Sequence, residues 1–223
     1  MPEYYLTIAL HSDATFGRGE GVAGLVDVEI EHDADGLPFV GGRALKGLLV
    51  EEWANLRFAL YGQTDARQPL DAVATQLFGT SGATERGAAE MRVGPAELPA
   101  DLRATIRRAK LPAAAVLASL TDIRRQTSLD AQDGAPEAAS LRAMRVLLRG
   151  TPLIARLDFE QEPDERALAL LAACALAVRR GGTARNRGRG RLSLLLHREP
   201  TAAYDDATFT KGCFDRFAAE VGA

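Results

Sequence analysis

The order of elements readable in this chain is strand, helix, strands, helix, strand, which predicts an α+β sandwich of the ferredoxin-like kind with helices inserted into it. Three observations carry that prediction. The β-formers Tyr4-Tyr5-Leu6-Thr7-Ile8-Ala9-Leu10 open the chain as a strand. Leu45, Leu48, Leu49, Trp53, Leu56 and Leu60 recur at three- and four-residue steps, the stripe of a helix lying on a sheet. Glu165–Arg180 forms a second helix, begun by Glu162-Pro163-Asp164 and stopped by Gly181-Gly182, directly ahead of a strand at Leu192–His197. RNA-recognition modules share this architecture, but a fold alone assigns no function.

Between these landmarks the reading proceeds in chain order. A glycine-rich loop, Phe16-Gly17-Arg18-Gly19-Glu20-Gly21, follows the first strand. From Asp27 to Asp35 acids occupy every second position, so an extended chain would line them along one water-facing side. Gly36-Leu37-Pro38 ends that run. Gln63–Pro69 reads as polar loop, Leu70–Phe78 as a short helix, Gly79–Gly87 as loop, and the surroundings of Met91 as a strand. Ala100–Leu120, with Pro112 inside, reads as helical pieces, and Thr127–Ala139 as an exposed excursion. Leu141–Leu148 and Pro152–Phe159, joined by Arg149-Gly150-Thr151, read as a β-hairpin, and Asp206–Val221 as a C-terminal helix. A chain of 223 residues then fits a single domain, 1–223, with an insertion at about 97–140.

Composition narrows the class. Hydrophobic residues at 47%, charged residues at 26% and a mean hydropathy of −0.09 describe a globular protein with material for a core. No apolar run approaches the length of a membrane span, and the first residues lack the positive segment of a signal peptide, so the cytoplasm is the expected location. Cys174 and Cys213 cannot make a disulfide framework, and with three histidines they do not suggest structural zinc. The net charge of −3 conceals an asymmetry: residues 142–191 carry 11 basic against 5 acidic side chains. Within it Arg179, Arg180, Arg185, Arg187, Arg189 and Arg191 stand with no acid between them, so the local field opposes the net sign.

Two segments suit a phosphate-lined chain. Gly181–Arg191, GGTARNRGRGR, follows a helix and precedes a strand; its glycines allow close backbone approach, and its arginines and Asn186 offer donors. It is neither a Walker loop nor a dinucleotide fingerprint, and the alternative is a solvated arginine loop. In Gly36–Leu49, GLPFVGGRALKGLL, a Gly-Gly turn delivers Arg43 and Lys46 onto the first turns of a helix, where amides and cations together attract phosphate; an ordinary helix start has the same form.

These pieces, taken in order, resemble a known family. The glycine loop after the first strand, VDVEIEHDADGLPFVGGRALKGLL, QLFGTSG at Gln76–Gly82, and TSLDAQDGAPEAASLRAMRV followed by RNRGRGRL are similar to the RAMP superfamily of CRISPR-associated proteins, most of all to the RNA-binding backbone subunit of type III effector complexes. The GLPFV, LKGLL, SLRAMRV and RNRG details lean toward a type III-D-like branch. The resemblance implies a ferredoxin-like core that holds guide crRNA by its backbone, packs beside other effector subunits, and extends a thumb hairpin near Thr127–Ser140. It implies RNA contacts at Gly42, Arg43, Lys46, Arg142, Arg145, Gly182, Arg185, Asn186, Arg187, Gly188 and Arg189. In target-cleaving members an aspartate ahead of the L-P-x-x-x-G-x-x-L-K-G piece supports metal-dependent cutting of target RNA. Asp27 matches it here, as catalytic group and Mg²⁺ ligand. A non-catalytic structural or capping subunit is the alternative, and a guide-processing ribonuclease using His11 a third. The chain departs from the family pattern at Gly41, where proline is common, at Val50, where arginine is common, and at Arg189, where an aromatic or aliphatic residue is common.

Other constellations carry less. Asp33-Ala-Asp35 resembles the D-x-D of sugar transferases without their α/β pattern, Ser128 and Asp130 have no histidine placed for a triad, and Trp53 belongs to the apolar helix stripe.

Overall fold

The computed structural model describes residues 1–80, 88–127, 141–201 and 205–222. Most of the expected thumb segment, with Ser128 and Asp130, and the second half of the Gly79–Gly87 loop lie outside the described residues. In chain order the elements are β1 (Glu3–Leu10), α1 (Gly42–Ala59), α2 (Thr64–Phe78), β2 (Met91–Glu97), α3 (Ala100–Ala109), α4 (Ala113–Leu120), β3 (Thr121–Gln126), β4 (Arg142–Leu147), β5 (Pro152–Phe159), α5 (Glu165–Ala177), β6 (Leu192–His197) and α6 (Thr208–Val221).

Four strands form one antiparallel sheet in the order β2-β5-β1-β6. β1 is central, pairing with β5 through Tyr5↔Arg156 and with β6 through Tyr5↔His197, while β2 joins the outer edge of β5 with a bulge between Val93 and Ala96. Setting β3 and β4 aside, the strands lie in the order fourth, first, third, second, the split βαβ arrangement of the ferredoxin-like class. β3 and β4 form a separate two-stranded hairpin, Thr121↔Leu147 to Gln126↔Arg142.

The strand pleat decides where the core sits. Tyr4, Leu6, Ile8 and Leu10 alternate along β1 onto the side covered by helices, where they meet Leu45, Leu49 and Trp53 of α1 and the apolar side chains of α5. Every residue from Ala167 to Ala175 in α5 is buried, as its small and aliphatic composition demands. The Asp164 carboxylate caps this helix by accepting from the Ala167 amide at 2.7 Å. α6 closes the β6 edge: the buried Thr210 hydroxyl accepts from the Leu196 amide and donates to its carbonyl, at 2.8 and 2.9 Å. A second, smaller cluster of Leu37, Leu98 and Val116 anchors α3 and α4.

Three sequence expectations are corrected. Leu141–Leu148 and Pro152–Phe159 are consecutive strands but do not pair: β4 pairs with β3, and β5 crosses into the main sheet. Gly150 (φ 78°) supports the turn between them, yet the turn changes sheets because both edges of β5 are taken by β1 and β2. The helix expected at Leu70–Phe78 begins at Thr64 and runs through Pro69. Buried Leu70, Val73, Ala74, Leu77 and Phe78 hold it on the core, so packing outweighs proline's missing donor. Asp27–Asp35 forms no regular strand, only isolated bridges, and its acids do not share a wet side. Glu29 is 1% exposed. Asp33 and Asp35 both grip Arg107 of α3, through Nη2 and Nε at 2.9 and 2.8 Å, which also occupies the D-x-D pair.

His197 gives a testable pH dependence. It is buried at the end of β6 with Nε2 lacking a hydrogen-bond partner among the described residues, and burial lowers its pKa while the Asp206 carboxylate works in the opposite direction. The unfolded chain, titrating near the ordinary value of about 6.5, therefore binds more protons than the folded one just below that pH. Stability is expected to be full above that value and to fall as pH drops through it. His197→Phe should flatten the difference in urea midpoint between about pH 7.5 and about pH 5.5; an unchanged slope would assign the acid sensitivity elsewhere.

Candidate nucleic-acid interface

The glycine segment leaves α5 and folds back on itself before β6. Arg180 and Arg191 bridge its stem, the Gly181 amide donates to the Gly190 carbonyl at 2.9 Å, and the Gly190 amide donates to Asp13 at 2.9 Å. Gly182 (φ 82°) and Gly190 (φ 68°) need their missing side chains, since a Cβ would collide with the Thr15 and Gly181 carbonyls respectively. The tip is a short 3₁₀ turn, Arg185–Arg187, between Ala184 and Gly188, both in the left-handed region. Asn186, Arg187 and Gly188 are exposed there.

Of the six arginines from Arg179 to Arg191 only Arg185 is paired with a carboxylate among the described residues. Its two terminal nitrogens meet both oxygens of Glu51 on α1, each at 2.8 Å. That bond holds the Glu51 carboxyl below its usual pKa and raises that of the guanidinium. Arg189 is half-buried, and its Nη1 is buried with no hydrogen-bond partner among the described residues. A buried cationic donor left unmade is costly, so an acceptor arriving from outside would be stabilised there.

At the start of α1, Arg43 is exposed and Lys46 half-buried, and neither has an acidic partner among the described residues. Burial lowers the Lys46 pKa. Gly42 backs onto β2, where a Cβ would strike the Val93 carbonyl, so its smallness serves helix-to-sheet packing. Lys46 lies one turn later on that same side. Glu51 is five residues beyond Lys46, roughly 140° around the helix axis, and Leu48 packs against Gly181. α1 therefore stands between the two cationic groups: Lys46 on the β2 flank, the arginine loop on the β6 flank.

Backbone bonds join them into one strip. Thr15 bridges Thr183, Gly17 bridges Ile30, the Phe39 amide donates to Glu31, and Val40 bridges Ala96 of β2, which links the glycine loop to the start of α1. β4 is stitched to the same strip through Ala14↔Leu147 and Val28↔Met144.

Asp27 sits where the strip meets β4. Its amide donates to the Ala143 carbonyl and its Oδ2 accepts from the Ala143 amide, both at 2.7 Å, next to exposed Arg142. With Gly21–Val26 the exposed Asp27 lines an open cavity of about 390 Å³. Among the described residues no three His, Cys, Asp or Glu side chains come together in a manner that would hold a metal. One oxygen of Asp27 has no partner among the described residues, which fits Mg²⁺ as a shared site, since that ion is commonly held by one or two carboxylates plus substrate phosphates.

Arg145 is the clear departure from the expected RNA contacts. It is 8% exposed, with Nε on Glu29 Oε1 at 2.8 Å and Nη1 on the Thr121 hydroxyl at 3.2 Å. The same Glu29 oxygen accepts from the Ile30 amide at 2.9 Å. This guanidinium is spent inside the protein, fastening the Asp27–Ile30 segment to β3 and β4. Sequence reasoning also missed Glu51 and Glu29 as members of the site; only the alternation of acids marked Glu29, and nothing local marked Glu51. His11, exposed, shares a 3.0 Å hydrogen bond with Ser193.

On the sheet face opposite the helices, Tyr5, Ile154 and Arg156 line an open cavity of about 530 Å³ with Pro95, Pro99 and Arg103. Thr7, Leu195 and His197 are buried on that face, Tyr5 donates to Glu3, and Arg156 is paired with Glu3 and Asp158.

Comparison with known proteins bears on the fold and the family. No curated protein matches the chain. Among solved structures it is similar to a chain of type III-B Cmr-beta in the apo state, with a TM-score of 0.61, 14% identity and coverage of 87% of this chain and 96% of that one. The cryo-EM structure of type III-B Cmr-beta bound to cognate target RNA gives 0.60 at 14% identity with the same coverage. A chain of a type IV-B CRISPR complex gives 0.55 at 13% identity, covering 92% and 98%. At such identities the likeness establishes the fold. The sequence itself supplies the family: residues 7–193 match the model of RAMPs, and the chain belongs to the RAMP superfamily.

Proposed function

We propose that this chain is a guide-crRNA-binding subunit of a type III CRISPR effector ribonucleoprotein, of the type III-D-like branch, working in the cytoplasm beside other effector subunits. No helix among the described residues is long and apolar enough to cross a membrane. The guide runs along the strip between the arginine loop and the start of α1, with Arg43, Lys46, Arg142, Asn186, Arg187 and Arg189 as donors and Gly182 and Gly188 shaping the loop. The observation that carries this reading is that Arg43, Lys46, Arg142, Arg187 and Arg189 have no carboxylate partner among the described residues, in a chain whose net charge is −3. Arginines elsewhere, such as Arg57, Arg103, Arg107 and Arg124, are held by carboxylates.

Neutralised phosphates make affinity for a single strand fall with salt, with a log–log slope of about −0.7 per contact. The full chain is expected to bind mixed-sequence single-stranded RNA in this way. Lys46→Ala and Arg187→Ala should each shallow the slope by about 0.7. Affinity indifferent to salt, or variants that bind as the parent does, would defeat the reading.

Within the proposed complex, Asp27 faces the target strand and serves its cleavage. Mg²⁺, when bound, would supply charge stabilisation at the reacting phosphate. The chain's part is to hold the carboxylate rigidly, through Ala143 and the Glu29–Arg145 pair, so that its free oxygen points to a fixed place. The second reading, a non-catalytic structural or capping subunit, is favoured by the same Ala143 bond, because fastening a loop is sufficient reason for an aspartate at this position.

A further inference from the structure

Glu51 occupies the fork of Arg185 in the way a phosphate would. Both terminal nitrogens are engaged, each at 2.8 Å, and the pair is open to solvent, its side chains 41% and 44% exposed. Carboxylate and phosphate accept from arginine in the same bidentate geometry, so the two compete for one set of donors. The remainder of the loop is arranged around the pair. Arg180 Nη1 donates to the Arg185 carbonyl at 2.9 Å, and the Arg187 amide donates to Ala184 at 2.8 Å. Ala184 is held at φ 59°, a conformation that disfavours a residue with a Cβ. Arg185 is thereby fixed against α1 while Asn186 and Arg187, on the same turn, stay exposed.

We infer that Glu51 is a specificity-determining residue of the RNA site: it sequesters Arg185 and acts as an internal stand-in for phosphate, so that only a strand already engaged by the neighbouring cations can displace it. This rests on the RNA-binding reading above and deepens it. A single phosphate or mononucleotide meets an occupied arginine, whereas a polyanion held by Arg187 and its neighbours presents its next phosphate at high effective concentration.

The test is equilibrium binding of mixed-sequence single-stranded RNA to the full chain across a salt series, for the parent, Glu51→Gln, Arg185→Ala and the double variant. Glu51→Gln should tighten binding about fivefold at 0.1 M salt with the slope unchanged, because the strand engages Arg185 in both proteins and the variant only removes the competing carboxylate. Arg185→Ala should shallow the slope by about 0.7 and, combined with Glu51→Gln, should abolish the gain, the non-additivity expected of two groups in contact. Thermal melting of each variant near that of the parent confirms the fold, which an exposed pair scarcely affects. Weaker binding by Glu51→Gln would make Glu51 a support that orients Arg185, and a gain that survives Arg185→Ala would reduce it to diffuse charge; either result overturns the inference. If the parent itself shows no salt-dependent RNA binding, the RNA-binding reading fails with it; if the parent binds and Glu51→Gln matches it, the inference alone fails.

Discussion

Asp27→Asn is expected to leave assembly and guide binding intact while slowing target-RNA cutting in the reconstituted complex at least about 100-fold, because the variant keeps a hydrogen-bond acceptor but loses the negative charge that would hold a metal ion. The asparagine variant separates the fastening bond, which the structure shows, from the proposed catalytic role. Asp27 Oδ2 accepts from the Ala143 amide at 2.7 Å, a bond the amide oxygen of asparagine can retain. Asp27→Ala removes both the bond and the charge, so it alone should also loosen the loop on β4. Cutting by Asp27→Asn at the parental rate would leave Asp27 with its fastening role and decide for the non-catalytic subunit.

Arg145→Ala or Glu29→Ala is expected to cost about 3–5 kcal/mol of folding stability, the range for stranding one member of a buried ion pair. Glu29 is 1% and Arg145 8% exposed, and the pair is embedded further through Thr121, Ile30 and the Thr15 hydroxyl, which donates to the Arg145 carbonyl at 2.9 Å. Such a loss is a large share of the roughly 5–15 kcal/mol that holds a domain folded. Replacing both together, Glu29→Leu with Arg145→Met, should recover most of it, since neither charge is then left alone in the interior. Urea unfolding of the four proteins measures this directly. Single variants costing less than about 1 kcal/mol would mean that water reaches the pair and that its burial is not what fixes the Asp27 segment.

The local parts of the fold were legible because local physics writes them. The stripe Leu45-Leu48-Leu49-Trp53 became the buried face of α1, Leu192–His197 became β6 with the same bounds, and Asp164 capped α5 as its place before an apolar helix suggested. Legibility ended where the periodicity was right but the environment was not local. Alternating acids from Asp27 implied a wet strand face, yet two of them met Arg107 and one met Arg145, each brought by a distant segment. Gln63–Pro69 read as polar loop because the packing of Leu70, Val73 and Leu77 that carries the helix back through Pro69 is invisible in those residues.

By itself, then, the amino-acid order determined which residues make strands and helices, where glycines permit tight loops, where positive charge gathers, and which family the chain resembles. Tertiary structure alone decided that β4 pairs with β3 rather than β5, that Arg145 turns inward to Glu29 across 116 positions, and that Arg185 is held by Glu51 across 134. The reason is physical. Propensity and periodicity act over a few residues, whereas the partner of a charged group is chosen by whichever opposite charge the folded backbone brings within about 3 Å of it, and nothing near either residue in the chain encodes that meeting.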